Sequence, residues 1–354
     1  MDSVLRKVVD IGFDKKIEPS TFLANFYEVE ELDTLEVEIH GRSVKNTYSV
    51  DVELGTGGRK VEMGSFDRKS FVVPEYNDYT VITEKDLAKI NFGQSPYDIY
   101  MARLADMILY RQSIISLMHR NAEEKQASDG LFYGQIAWSD GTKIELNKKE
   151  SHSIGVTNKW GSSDSDPDAD IENACKIAIT DGSLSDSQFN LIMESSVWSA
   201  YKSNEKVKNS SNWNNGIKRT DINMPEEKTP GAFFHGQKSC GSYTINLWTY
   251  EKAYEIPKGF GFDNEGKKQT YIPKGGALLL PMKPEFKRYY GAINDTNVKS
   301  NIPGALLNLM KRQQVPYAYD VLKKGSAFIE VGVKSRPLLI PCDMDCFVTF
   351  KDLT

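Results

Sequence analysis

The sequence predicts an α+β fold in which one long helix is combined with several small sheets. Three observations predict it. The run from Pro96 to about Lys125 has helical periodicity and contains no Gly and no further Pro. Short segments before and after it alternate apolar and polar residues at strand spacing. No internal repeat interrupts this order.

Bulk composition sets the bounds. The 354 residues suffice for a sizeable core and for two or three subdomains, and 40% apolar with 26% charged residues is ordinary for a globular chain. The formal net charge of -5 disfavours a protein whose main task is gripping phosphate backbones, which needs Lys and Arg to displace counterions. Four cysteines make no disulfide framework and fit a reducing compartment. The N-terminus lacks the apolar core of a signal peptide, and the apolar stretch Gly276 to Met282 is too short to span a bilayer. A soluble chain with no membrane partner is expected.

In chain order, residues 1 to 34 read as short amphipathic pieces, with Phe22, Leu23, Phe26 and Tyr27 at helical spacing. They are too few to bury themselves. From 35 to 80 the pattern is β. Leu35, Val37 and Ile39 alternate with acidic residues, Val50, Val52 and Leu54 alternate again, and Val61, Met63, Phe71 and Val73 form the return strand. Gly55, Gly57 and Gly58, followed by Arg59, supply the positive φ values of a hairpin tip, and Pro74 limits the pairing. An isolated ribbon of this kind is marginal in water and needs a partner surface.

The long helix starts with Ser95 as N-cap, Pro96 at the first position and Asp98 three residues after the cap. Tyr97, Met101, Leu104, Ile108, Ile115 and Met118 make its apolar stripe, and the Ala127 to Gly130 stretch is expected to end it. About 30 residues give a rod of roughly 45 Å. Then come strand-like LFYGQIAW and TKIEL, the polar loop NKWGSSDSDPDAD, a helix from Asp170 to about Thr180, the buried strand FNLIM and helical VWSAYKSNEKVKN. Residues 203 to 240 are polar with turn signals throughout, and the last third is strand-rich, closing on SRPLLIPCDMDCFVTFKD.

Each chemical motif in the sequence has a plainer reading. Asp164, Asp166, Asp168 and Asp170 suggest a calcium loop, but the positions that need Gly and Glu hold Ala169 and Cys175 in one register and Ile171 and Ile177 in the next. A solvated loop feeding a helix N-terminus explains them. Cys342 and Cys346 could be half of a zinc site, yet His40, His119, His152 and His235 show no paired spacing. Alternation places Cys342, Met344 and Cys346 on one face of a strand instead. No nucleophile elbow or phosphate loop is present, Ser239-Cys240-Gly241 lacks a catalytic context, and neither Gly55-x-Gly57-Gly58 nor Gly259, Gly261 and Gly266 makes a dinucleotide fingerprint. His119 reads as a packed or surface histidine. No catalytic, cofactor-binding or metal-ligating residue is assigned, and no enzyme is expected.

The order of arm, ribbon, long helix, mixed domain and closing strands resembles the HK-97 capsid fold. Phe22-Leu23-x-x-Phe26-Tyr27, Trp160 followed by Asp166-Pro167-x-x-Asp170-Ile171-Glu172, Tyr271-Ile272-Pro273-x-x-x-x-Leu278, and Pro337-Leu338-Leu339-Ile340 with Asp343 and Phe347-Val348 resemble the lambda-type major head proteins, the phage major capsid protein E family. The similarity runs from about residue 16 to 354, and the insert at 203 to 240 is the least comparable part. The resemblance implies an arm at 1–34, an E-loop at 35–80, a P-domain at 81–165 with its spine helix at about 96–126, an A-domain at 166–325, and closing strands at 326–354 that return to the P- and A-domain sheets.

It also implies hexamers and pentamers closing an icosahedral shell in the host bacterial cytoplasm, becoming part of the virion around double-stranded DNA that the shell faces without specificity. A separate scaffolding protein is the expectation, since the chain opens almost directly onto the arm. A portal and a decoration protein complete the implied partners, and no cross-linking Lys–Asn pair can be placed. The expected inter-subunit contacts are Phe22, Leu23, Phe26, Tyr27, Gly55, Gly57, Gly58 and Arg59. The competing readings are an encapsulin-like compartment, which the lambda-type motifs disfavour, and a soluble enzyme of unknown type, which would show a polar cleft.

Overall fold

The long helix runs Pro96–Tyr133, 38 residues and roughly 57 Å in the computed structural model. That structure describes residues 21–41, 67–87, 96–138, 141–182, 186–210, 217–218, 226–259, 264–294, 309–310, 312–323 and 326–354. The helix begins at the expected proline but does not stop at Ala127 to Gly130. Ala127, Leu131 and Phe132 are buried and hold the last turns in the core. Gly130 lies inside the helix, where a Cβ would meet Leu146, Pro341 and Ile136 at ordinary contact distance, so packing around it does not end the helix. The helix ends instead at Gly134, whose φ of +63° reverses the chain. Lys148 Nζ then donates to the freed carbonyls of Leu131 (2.7 Å) and Phe132 (3.4 Å).

Against the first half of the helix lies a three-stranded antiparallel sheet ordered Gln314–Lys323, Ser326–Ser335, Tyr76–Thr83. Ile82, Val331 and Val333 pack on Leu104, Ala105, Ile108, Leu109 and Ile115. Two expected boundaries fall inside this sheet. Residues 76–80 belong to it and not to the ribbon, and a cut at 325 would divide a hairpin paired from Gln314 with Ser335 to Lys323 with Ser326.

A second three-stranded sheet places Tyr27–Glu31 parallel to Phe286–Tyr290, which pairs antiparallel with Pro337–Pro341. The ribbon appears at its base, where Glu36–Gly41 pairs antiparallel with Asp67–Val72.

The largest sheet has eight strands. Its path runs Glu226–Thr229, Ala232–Cys240, Tyr243–Tyr250, Gln188–Met193, Ala277–Pro281, Val348–Lys351, Ser153–Gly155, with Ile217–Lys218 beside Ala232–Cys240. The central strands are buried on both faces, which is why they read as unbroken apolar runs. Phe189, Leu191, Met193, Ala277 and Leu279 join one core under the helices Pro167–Gly182 and Ser195–Ser203. Ile192, Leu278 and Leu280 point the other way, into a core shared with Leu131 and Phe132 of the long helix. The polar reading of 203–240 missed the nine-residue strand Ala232–Cys240. Its pairing with the sheet's own Tyr243–Tyr250 supplies what local propensity lacks. The closing segment departs from expectation too. Residues 342–347 form a turn between strands, with Cys346 Sγ on the Asp343 carbonyl (3.2 Å), so the cysteines do not share a strand face.

Candidate subunit-contact surfaces

Phe22, Leu23, Phe26 and Tyr27 sit where the chain enters the fold. Leu23–Phe26 is a single 3-10 turn followed directly by the strand Tyr27–Glu31, in place of the expected amphipathic helix. The first N–H groups of a helical turn have no partner within it. Here a side chain from the long helix provides one. The Glu124 carboxylate accepts the backbone N–H groups of Phe22 (3.0 Å), Leu23 (2.7 Å) and Ala24 (3.0 Å) and the Tyr250 hydroxyl (2.7 Å). Glu124 is fully buried, so these four charge-assisted bonds replace its water. Burial, and then the carboxylate beside it, push the Tyr250 phenol above its ordinary value. The Phe22 ring completes the anchor against Trp248 (5.3 Å), Tyr250 (5.2 Å) and Phe26 (5.6 Å).

The structure therefore places Phe22, Leu23 and Tyr27 inside their own chain, while Phe26 stays half-buried. Glu124, Trp248 and Tyr250 were not singled out from the sequence. The available signal was Glu123-Glu124, a pair of acids inside a helix otherwise expected to bury its neighbours. The two acids diverge. Glu123, also buried, accepts from Arg120 and Arg288, both at 3.2 Å.

Glu123 belongs to a polar row that the apolar reading of the helix also missed. Gln112, Ser116, His119, Glu123 and Gln126 recur at steps of four, three, four and three, and all are buried. Ser116 meets Gln314 at 2.5 Å, His119 meets Asp78 at 3.1 Å, and Gln126 donates to Tyr76 at 2.8 Å while accepting the Leu339 N–H at 3.2 Å. Gln112 donates to the Tyr317 carbonyl at 3.3 Å. The row fastens the helix to strands from both ends of the chain. Meanwhile Met118, expected in the core, is exposed together with Tyr110, Ile114 and Leu117.

At the ribbon, Val37 is buried with Val73, Leu338 and Ile340, whereas Leu35 and Val72 remain exposed on the base. Gly55, Gly57, Gly58 and Arg59 lie outside the described residues.

The groups that suggested chemistry have structural partners. Asp166 caps the helix at Ala169 N (3.2 Å), Asp168 binds Lys238 (2.6 Å) and Tyr201 (3.0 Å), and Asp170 accepts the Trp160 indole N–H (2.9 Å). Burial pushes the thiols of Cys175 and Cys240 up to about 12, far from a nucleophilic thiolate. Among the described residues, no three or more His, Cys, Asp or Glu side chains gather as a metal ion would need, and no helix is long and apolar enough to cross a membrane.

The family model described as phage major capsid protein E matches residues 16–351. Among solved structures, a protein described as the capsid protein of a prophage in E. coli CFT073 is 17% identical and superposes with a TM-score of 0.62, over 98% of this chain and 97% of that one. A phage-related protein from Bordetella bronchiseptica RB50 is 12% identical, with a TM-score of 0.49 over 99% and 97%. No curated protein matches the chain.

Proposed function

On the premise that the chain belongs to the phage major capsid protein E family, and is thus a shell-forming component of a phage virion with an HK-97-like fold and a structural, non-enzymatic role, we propose how its parts serve the shell. The helix Pro96–Tyr133 acts as the spine of the P-domain, together with the three-stranded sheets of residues 76–83, 314–335, 27–31, 286–290 and 337–341. The eight-stranded sheet and its helices act as the A-domain. Residues 35–73 act as the E-loop, laid over a neighbouring copy.

The observation that carries this reading is the family match across nearly the whole chain. The exposed Val72, opposite Glu36 in the ribbon, and the exposed Leu35 support the E-loop assignment, because apolar side chains left open on a two-stranded ribbon favour a cover from outside. Phe26, with its half-buried ring, and the tip residues Gly55, Gly57, Gly58 and Arg59 complete the contact set. Hexamers and pentamers of the chain close the shell in the bacterial cytoplasm around double-stranded DNA. A separate scaffolding protein directs closure, and a portal and a decoration protein join it.

Negative-stain microscopy of the purified protein, alone and co-expressed with its scaffold, tests the proposal. Closed particles or capsomer rings are expected. A monomer or dimer under every assembly condition would overturn it. An encapsulin-like compartment would show closed particles loaded with protein cargo instead of DNA.

A further inference from the structure

One face of the long helix is covered along only part of its length. Tyr110, Ile114, Leu117, Asn121 and Glu124 follow one another at steps of four, three, four and three, so they form one row along the helix. At its C-terminal end the row is closed, because Glu124 is buried under Phe22, Leu23 and Ala24, whose N–H groups it binds. Toward the N-terminus the same row is open: Tyr110 is 64%, Ile114 44% and Leu117 45% exposed. Three large apolar side chains in sequence on one helix face are a surface that calls for a cover.

We propose that residues 1–20 of the same chain cover this open row, continuing the contact that residues 22–24 begin. Three observations on this chain point to that occupant. The first is position. The segment joins the described fold at Thr21, which is buried, and Asn25 Nδ2 donates to its carbonyl (2.6 Å), so the chain is delivered to the closed end of the row. The second is reach. Glu124 and Tyr110 are fourteen positions apart, about 21 Å along the helix, and twenty residues can span up to about 66 Å. The third is composition. The segment carries Val4, Leu5, Val8, Val9 and Phe13, apolar partners for Tyr110, Ile114 and Leu117. A tethered segment meets its site at an effective concentration on the order of millimolar, well above that of a second copy in dilute solution. The contact lies within one chain and does not depend on shell formation.

A photo-crosslinking residue placed at Leu117 of the full-length protein, with peptide mapping by mass spectrometry, tests it. Adducts within one chain to peptides from residues 1–20 are expected. Adducts to a second chain, adducts to another segment, or no adduct would overturn it. Hydrogen exchange on Ile114→Ser/Leu117→Ser gives an independent reading, since both residues are exposed and their loss leaves the core intact. Amides of residues 4–13 should exchange at least about tenfold faster than in the unsubstituted protein, while those of Phe22, Leu23 and Ala24 keep their rates. Equal rates for residues 4–13 in the two proteins would count decisively against it.

Discussion

Glu124 Oε1 accepts the backbone N–H of Leu23 at 2.7 Å, across 101 positions of sequence. With the flanking N–H groups and Tyr250, this one carboxylate fixes residues 22–24 to the last third of the longest helix described. Glu124→Gln keeps the size but turns an amide donor toward groups that are themselves donors. It should lower unfolding free energy by about 2 to 3 kcal/mol, read by urea unfolding. Tyr250→Phe, which removes one of the four bonds, should cost about 1 kcal/mol. Equal stability for Glu124→Gln and the unsubstituted chain would rule out the cradle.

Lys148 is a half-buried amine at the end of the same helix, bonded also to Thr349 Oγ1 at 2.6 Å. Burial, with Lys351 adding repulsion, pushes it down to about 7. The unfolded chain then binds more protons than the folded one between pH 7 and about 10, so stability rises with pH across that window and the cost is fully present below it. Relative to Lys148→Met, the unsubstituted protein should gain stability from pH 7 to pH 9. A flat or falling difference would contradict the assignment.

Gly332 faces the Tyr317 ring across the Gln314–Lys323 and Ser326–Ser335 pair. A Cβ there would lie 2.5 Å from the Tyr317 hydroxyl and 2.7 Å from the Asp78 carbonyl. Tyr317 is held by its bond to Asn77 (2.9 Å), and the Asp78 carbonyl is backbone, so neither yields easily. Gly332→Ala should destabilise by about 1 to 3 kcal/mol, seen as a lower thermal midpoint. Gly332→Ala in a Tyr317→Ala background should recover part of that loss.

Val72 is 63% exposed at the ribbon base. Val72→Asp should leave the unfolding free energy of the isolated chain nearly unchanged, within about 0.5 kcal/mol, yet abolish shell formation as read by sedimentation. Particles formed at normal yield would remove the ribbon base from the contact set.

Thiol chemistry gives a further check on packing. Cys175, Cys240 and Cys346 are buried and Cys342 is half-buried. A thiol reagent at pH 8 should label Cys342 first and reach the other three only on unfolding. Rapid labelling of Cys240 would mean that the sheet edge near Asp168 is open.

Local signals accounted for much of this molecule. Pro96 opens the helix where the sequence places it, and the runs around Leu191, Leu279 and Val333 become strands, because proline chemistry and apolar patterning act over a few residues. The family, too, was legible, since its motifs lie in order along the chain. What tertiary structure alone decided was which side of each element faces inward. Gln112, Ser116, His119, Glu123 and Gln126 carry no apolar signal and yet are buried, because strands distant in sequence bring matching donors and acceptors. Met118 looks like core and is exposed. Phe22 and Leu23 turn inward rather than outward because Glu124, a hundred residues away, takes their N–H groups. A hydrogen bond across that distance leaves no periodicity in the sequence, and its energy exists only once the fold has brought its ends together.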